Sequence, residues 1–246
     1  MILRTLDQLG FEFDHEVLSQ STRDDAYADA LATLRSRGQV FDCSCSRADL
    51  AGARPEQSQQ ADELFYPGWC RGGVRDPGKS CAVRLRVDHE DTVFLDSIQG
   101  PQRFDLTTEC GDFVIRRKDG LYAYQLAVVV DDSQQGITHV VRGADLLTST
   151  PRQIVLQRAL KLPTPAYAHL PLATDRNGIK LSKSQGSAAV NPDRAVAELH
   201  RALRFLAQHP PENLLRGPLS TLWEWAFEHW CTQSLQGRLS ACVDES

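Results

Sequence analysis

The chain has 246 residues, 41% of them hydrophobic and 24% charged, which is the profile of a globular protein large enough for one sizeable core or a core plus a smaller appendage. A formal net charge of −5 argues against a protein that coats nucleic acid indiscriminately, though it leaves room for a nucleic-acid enzyme with a single basic face. The longest fully apolar run, Ala127 to Val130, is too short to span a bilayer, and Met1-Ile2-Leu3-Arg4 leads into an amphipathic stretch unlike a secretory signal, so a cytoplasmic location is expected.

Ile2, Leu3, Leu6 and Leu9 recur at helical spacing, and Gly10 closes the pattern. Ser21 or Thr22, with Asp24 or Asp25 three residues on, predicts a capping box for a second helix. That helix buries Tyr27, Ala30, Leu31 and Leu34 and stops at Gly38. An irregular, cysteine-rich region follows, from Cys43 to Cys70. Cys81, Val83, Leu85 and Val87 alternate with Arg84 and Arg86, the pattern of a half-buried strand. Thr92 to Ile98 and Asp112 to Arg117 read as further strands, and Lys118-Asp119-Gly120 as a turn. Tyr122 to Val130 is a buried segment whose periodicity does not choose between helix and strand. Ile137 to Val141 reads as a strand, Asp145 to Leu160 as a helix, and Ala166 to Leu172 as a short strand ended by the turn at Asp175 to Gly178. From Pro192 the spacing of Ala195, Leu199, Leu203 and Leu206 is helical, and Trp223, Phe227 and Trp230 continue it. There is no internal repeat. Strands alternating with helices predict an α/β core with a small helical C-terminal part.

The sharpest chemical signal is Lys180-Leu181-Ser182-Lys183-Ser184, after a strand and a glycine-bearing turn. Two ammonium groups three residues apart on a flexible loop can close over a polyphosphate and neutralise departing pyrophosphate. A solvated Lys/Ser turn is the plain reading of such a pentapeptide by itself. The second signal lies among seven cysteines, an odd number that argues against a disulfide framework. Cys43, Cys45 and Cys70 offer three thiolates to Zn²⁺, and a tetrahedral structural site needs a fourth ligand. Spacing permits Cys81 or His89 in that place; three buried free thiols are the other reading. Arg116-Arg117-Lys118 is either a phosphate contact or a solvated hairpin tip. Asp131 and Asp132 are adjacent and point apart, so they are expected to brace the loop that follows and not to form a metal pair.

Four blocks surround these signals: DFVIRRKDG (112–120), YAYQLAVVVDD (122–132), GITHVVRGAD (136–145) and TPRQ (150–153). With the KLSKS pentapeptide, which is similar to the KMSKS loop with Leu181 in place of Met, they resemble the glutamyl-tRNA synthetase branch of the class I aminoacyl-tRNA synthetases. Gly143-Ala144-Asp145 and the short C-terminal part resemble its abbreviated relatives, the glutamyl-queuosine tRNA(Asp) synthetases. The resemblance covers about residues 1 to 200, and several of its blocks are long and therefore specific. It implies a class I, Rossmann-like α/β core, N-terminally incomplete, with a zinc-binding insertion and a small helical C-terminal part. The expected divisions are 1–42 (remainder of the first nucleotide-fold half), 43–111 (insertion), 112–190 (second catalytic half) and 191–246 (helical part).

The resemblance further implies that Tyr124 and Arg142 hold glutamate, since a guanidinium fork suits a carboxylate and a phenol hydrogen-bonds an amino or carboxylate group. Lys183 binds ATP and carries catalysis with Lys180 in support, and Tyr66 is the fourth zinc ligand beside Cys43, Cys45 and Cys70. Glutamate would attack the α-phosphate of ATP, with Mg²⁺ bridging the phosphates, and pass as a glutamyl group to the queuosine base in the anticodon stem-loop of tRNA(Asp). About 50 residues follow the KLSKS loop and its helix, too few for an ordinary separate anticodon-reading domain, so the anticodon itself is expected in the core, and the protein is expected to act as a monomer. No HIGH-type motif occurs in the sequence, and the family's opening Arg-Phe-Ala-Pro-Ser segment has no counterpart. A piece of about 30 residues or more, the size of a βαβ unit, is therefore expected to be missing, with ATP binding and activity impaired. Two other readings share these residues: a truncated glutamyl-tRNA synthetase charging the tRNA 3′ end, and a non-catalytic zinc-bearing binding protein.

Overall fold

The computed structural model describes residues 2–51, 53, 64–88, 91–181 and 189–243. In chain order its helices are α1 (Ile2–Gln8), α2 (Asp24–Ser36), α3 (Arg47–Leu50), α4 (Leu106–Glu109), α5 (Tyr124–Gln134), α6 (Thr150–Leu160), α7 (Ala195–Phe205) and α8 (Leu219–His229). The strands are β1 (Val40–Cys43), β2 (Ala82–Leu85), β3 (Thr92–Asp96), β4 (Gly100–Phe104), β5 (Val114–Arg116), β6 (His139–Gly143), β7 (Ala166–Leu170), β8 (Leu172–Thr174) and β9 (Ser240–Cys242). No described helix is long and apolar enough to cross a membrane.

Tyr27, Leu31 and Leu34 of α2 stack on one face at i, i+4 and i+7 and are buried, with Ala30 packed beside them. The expected capping box is absent there. Ser21 and Thr22 belong to a 3₁₀ turn, Arg23 is the N-cap, and no side chain caps the helix. A capping box forms instead at α3, where the Ser46 hydroxyl accepts from the Asp49 N–H and the Asp49 carboxylate accepts from the Ser46 N–H.

Three strands form an antiparallel sheet in the order β1-β2-β5, and four form a mixed sheet in the order β4-β3-β7-β6. In the second sheet β3, β7 and β6 run parallel, and β4 closes one edge as an antiparallel hairpin with β3. The short strand β4 has no counterpart in the sequence reading; it carries Pro101, whose missing N–H is tolerated on an edge strand. Both sheets draw strands from either side of residue 111. The main core packs α2, α5 and α6 against β2 and β5 through residues such as Leu34, Leu85, Ile115, Leu126 and Leu156.

Three expectations change. Strand β2 is buried along its whole length, not half-buried, because Arg84 turns inward: it donates to the Asp112 carbonyl (2.7 Å) and lies over the Tyr66 ring (3.9 Å). Residues 145–160 are not one helix. A 3₁₀ turn, Ala144–Ser149, precedes α6, since Pro151 lacks an N–H and its ring opposes the carbonyl four residues back. The C-terminal part is helical in α7 and α8, which bury Leu199, Leu203, Leu222 and Ala226 together, but β9 returns to pair in parallel with β8.

Candidate functional site

The parallel strands end on one side of the mixed sheet, the position where open α/β sheets take their ligands. Arg142 and Gly143 end β6, His169 and Leu170 end β7 in direct register with them, and Asp96 ends β3. Arg142 donates through Nε to His169 Nε2 (3.1 Å) and through Nη2 to Thr150 Oγ1 (2.8 Å) and the Leu146 carbonyl (3.4 Å). Its guanidinium lies 5.5 Å from the centre of the Tyr167 ring.

Behind Arg142, His169 Nδ1 lies 2.6 Å from Asp96 Oδ2, and both side chains are fully buried. The other Asp96 oxygen, Oδ1, accepts N–H bonds from Ile98 (3.0 Å), Gln99 (2.8 Å) and His169 (3.2 Å). Burial raises the Asp96 pKa, and these hydrogen bonds outweigh it, so the carboxyl is held below its ordinary value. Burial pushes the His169 pKa down, Asp96 opposes the fall and Arg142 adds to it.

Tyr124 occupies the first position of α5 and is 46% exposed. It approaches the same place as Arg142: the Tyr167 phenol, raised by burial and hydrogen-bonded by Gln157 (3.0 Å), feels Arg142, Asp132 and Tyr124 together. Burial also raises the Asp132 carboxyl, against the pull of Arg142. Its neighbour Asp131, about 100° away around α5, braces the preceding segment and not the loop that follows. Asp131 accepts from Gln20 Nε2 (3.0 Å), Arg23 Nε (3.0 Å) and the Tyr27 hydroxyl (2.7 Å).

Lys180 forms a bridge with Thr174 and ion-pairs with Asp145, just beyond the end of β6. Lys183 lies outside the described residues, as do His89 and the remainder of the KLSKS loop after Leu181. The basic hairpin is engaged within the fold. Arg116 donates to the Gly120 carbonyl (3.1 Å), Arg117 pairs with Asp119 (2.6 Å), and Lys118 donates to the Ser44 carbonyl (2.6 Å).

That last contact reaches a cluster in which the Cys43, Cys45 and Cys70 sulfurs, all buried, lie within 4.8 Å of one another. Tyr66, 1% exposed, stands against them, and its hydroxyl accepts the Cys70 N–H (2.7 Å) and neighbours the Cys43 thiol. Burial drives the phenol pKa upward and pushes the Cys45 thiol to about 12. At Cys70 burial acts upward too, but hydrogen bonds from the Arg75 backbone, Tyr66, the Ser44 backbone and Cys45 win and bring it to about 6. Such a thiol is a ready thiolate donor. Cys81 is not in the cluster; its thiol donates to the Lys79 carbonyl (3.5 Å).

The sequence reading covers Asp96, Thr150, Tyr167 and His169 in its strands and blocks but gives none of them a role at the site. A visible trace existed: Tyr167 and His169 alternate within an otherwise apolar strand, which puts a histidine on a buried face.

Residues 1–203 match the family of class I tRNA synthetases (E and Q), catalytic domain. The chain is 54% identical over 229 residues to the glutamyl-Q tRNA(Asp) synthetase of Dechloromonas aromatica (strain RCB), covering 93% of this chain and 76% of that protein. It is 49% identical over 231 residues to the protein of the same name from Geobacter sulfurreducens, covering 92% and 73%. Among solved structures, the glutamate-tRNA synthetase from Elizabethkingia anophelis superposes with a TM-score of 0.72 at 18% identity, over 99% of this chain and 57% of that one, a likeness of fold.

Proposed function

The chain belongs to the class I tRNA synthetases of the E and Q type, and within them to the group of the glutamyl-Q tRNA(Asp) synthetases, and on that premise we propose that it activates glutamate with ATP and passes the glutamyl group to the queuosine base of tRNA(Asp). It is a ligase. A carboxylate oxygen of glutamate bonds to the α-phosphorus of ATP as pyrophosphate leaves, and a queuosine hydroxyl then takes the glutamyl carbonyl as AMP departs. The observation that carries the site assignment is Arg142 at the carboxyl end of β6, its guanidinium 5.5 Å from the Tyr167 ring, with Tyr124 exposed at the start of α5.

In this reading Arg142 Nη1, which has no protein partner among the described residues, takes a glutamate carboxylate, and the exposed Tyr124 hydroxyl takes a second polar group of the amino acid. Lys180 exchanges Asp145 for the phosphates, Lys183 is the second cation of the same pentapeptide, and Mg²⁺ would supply further charge neutralisation to the phosphates. The queuosine-bearing anticodon stem-loop is the acceptor, and the enzyme works as a monomer.

The cysteine cluster fits zinc. Three buried thiols at mutual ligand distance, one of them acidic, with a buried phenol against them, make a closed donor set. Cys43, Cys45, Cys70 and Tyr66 would hold the ion, which would supply structural cross-linking and no chemistry.

Incubation of the purified protein with ATP, labelled glutamate and tRNA(Asp), with or without queuosine, tests the reading. Label on the queuosine-containing tRNA alone is the expected result, formed slowly because the sequence holds no HIGH-type motif. Label at the 3′ end of a glutamate tRNA would favour a glutamyl-tRNA synthetase; absence of glutamate-dependent pyrophosphate exchange, with zinc retained, would favour a binding protein.

A further inference from the structure

We propose that Asp96 and His169 are positioning residues for Arg142, fixing one imidazole tautomer so that the guanidinium is held by Nε and presents Nη1 to the amino-acid substrate. The inference rests on Arg142 being the carboxylate-binding residue.

The bond from Arg142 fixes the arrangement at Nε2; Thr150 Oγ1, 3.2 Å from the same nitrogen, accepts from Arg142 Nη2 and can turn its own hydrogen toward that lone pair or toward the Leu146 carbonyl. An arginine Nε–H can only donate, so His169 Nε2, 3.1 Å away, must be its lone-pair acceptor. The proton then sits on Nδ1, where the Asp96 carboxylate receives it at 2.6 Å. A doubly protonated ring would set two N–H groups against each other at Nε2, and so would the other neutral tautomer. The depressed His169 pKa accords with the neutral ring.

Asp96 is equally constrained. Three backbone N–H groups converge on Oδ1, so only Oδ2 is left for the imidazole. Asp96→Asn therefore has one orientation to adopt: its carbonyl oxygen stays with the three N–H donors, and its NH₂ faces His169 Nδ1. That donor compels Nδ1 to accept and moves the proton to Nε2, where it opposes the Arg142 Nε–H. The substitution keeps size and shape, and reverses the polarity of every bond from Asp96 to Arg142. Thr150 holds Nη2 but does not replace the lost bond at Nε, so the fork pivots.

Two measurements on the full chain test this. Imidazole ¹⁵N NMR of the wild-type protein at neutral pH should show His169 protonated at Nδ1 and bare at Nε2; protonation at Nε2 overturns the proposal without any variant. In steady-state pyrophosphate exchange, Asp96→Asn should raise KM for glutamate about ten- to a hundredfold, with kcat less affected and KM for ATP unchanged. Arg142→Ala is run alongside. If Arg142→Ala loses glutamate affinity while Asp96→Asn, folded by its thermal midpoint, retains it, the positioning role is wrong. If Arg142→Ala itself leaves KM for glutamate unchanged, the substrate assignment fails, and the ¹⁵N spectrum still reports on the tautomer.

Discussion

Asp131 and Asp132 are neighbours of identical chemistry, yet among the described residues only Asp131 is hydrogen-bonded through its side chain, and alanine at each should separate their contributions to stability. Asp131 is 5% exposed and takes hydrogen bonds from Gln20, Arg23 and Tyr27, which pins the segment before α2 and α2 itself to α5. Asp131→Ala removes all three. Tyr27 is 2% exposed, so its hydroxyl is left without an acceptor and without water, at a cost of about 1–3 kcal/mol. The Arg23 guanidinium is partly solvated, with a side chain 20% exposed, so it recovers some hydration and adds less than a fully buried partner would. Together the loss should come to about 3–5 kcal/mol, the range found when one partner of a buried pair is deleted. For a chain of this size that lowers the thermal midpoint by on the order of 10 °C. Asp132 accepts no hydrogen bond through its side chain from the described residues, and burial disfavours its charge, so Asp132→Ala should leave the midpoint nearly unchanged. Differential scanning calorimetry of both variants checks the pair. Equal midpoints, or an Asp131→Ala midpoint within a couple of degrees of wild type (about 1 kcal/mol or less), would refute the division of labour.

The purified protein should carry about one zinc, measured by elemental analysis, as a tetrahedral structural site requires. Cys43→Ala should abolish it and Tyr66→Phe should weaken it; full retention in Tyr66→Phe would remove the phenol from the donor set. Gly111, at φ +65, lies so close to the Tyr66 backbone that an added Cβ would sit 2.0 Å from its carbonyl oxygen, so Gly111→Ala should shift Tyr66 and lower zinc content together with stability. Normal zinc and an unchanged midpoint would count against that contact. Because the folded His169 pKa is depressed, the unfolded chain binds more protons at this residue as pH falls below about 6.5, and stability drops through that window. Thermal midpoints at pH 8 and pH 5.5 should therefore diverge more in the wild type than in His169→Gln; identical pH slopes would contradict it.

Much of this molecule is local and was legible in the linear sequence. Tyr27, Leu31 and Leu34 face one way because a helix repeats every 3.6 residues, whatever lies opposite. Cys43, Cys45 and Cys70 stood out as candidate partners and their sulfurs do cluster, and long blocks such as 112–120 and 136–145 carried the family, because runs of that length seldom coincide by chance. What the sequence left undecided depended on residues far apart in the chain. Arg84 reads as a solvent-facing position of an alternating strand, and only the Tyr66 ring and the Asp112 carbonyl, brought from other segments, make its burial affordable. Spacing left Cys81 open as a fourth ligand while the family resemblance pointed to Tyr66, and the tertiary packing puts the Tyr66 phenol, not the Cys81 thiol, against the cluster. Asp96 and His169 are 73 residues apart, and nothing in either segment declares a partner. Parallel pairing of β3 and β6 on either side of β7 sets Asp96, His169 and Arg142 side by side, and burial there makes each bond costly to lose, which is why their network could be seen only in the folded chain.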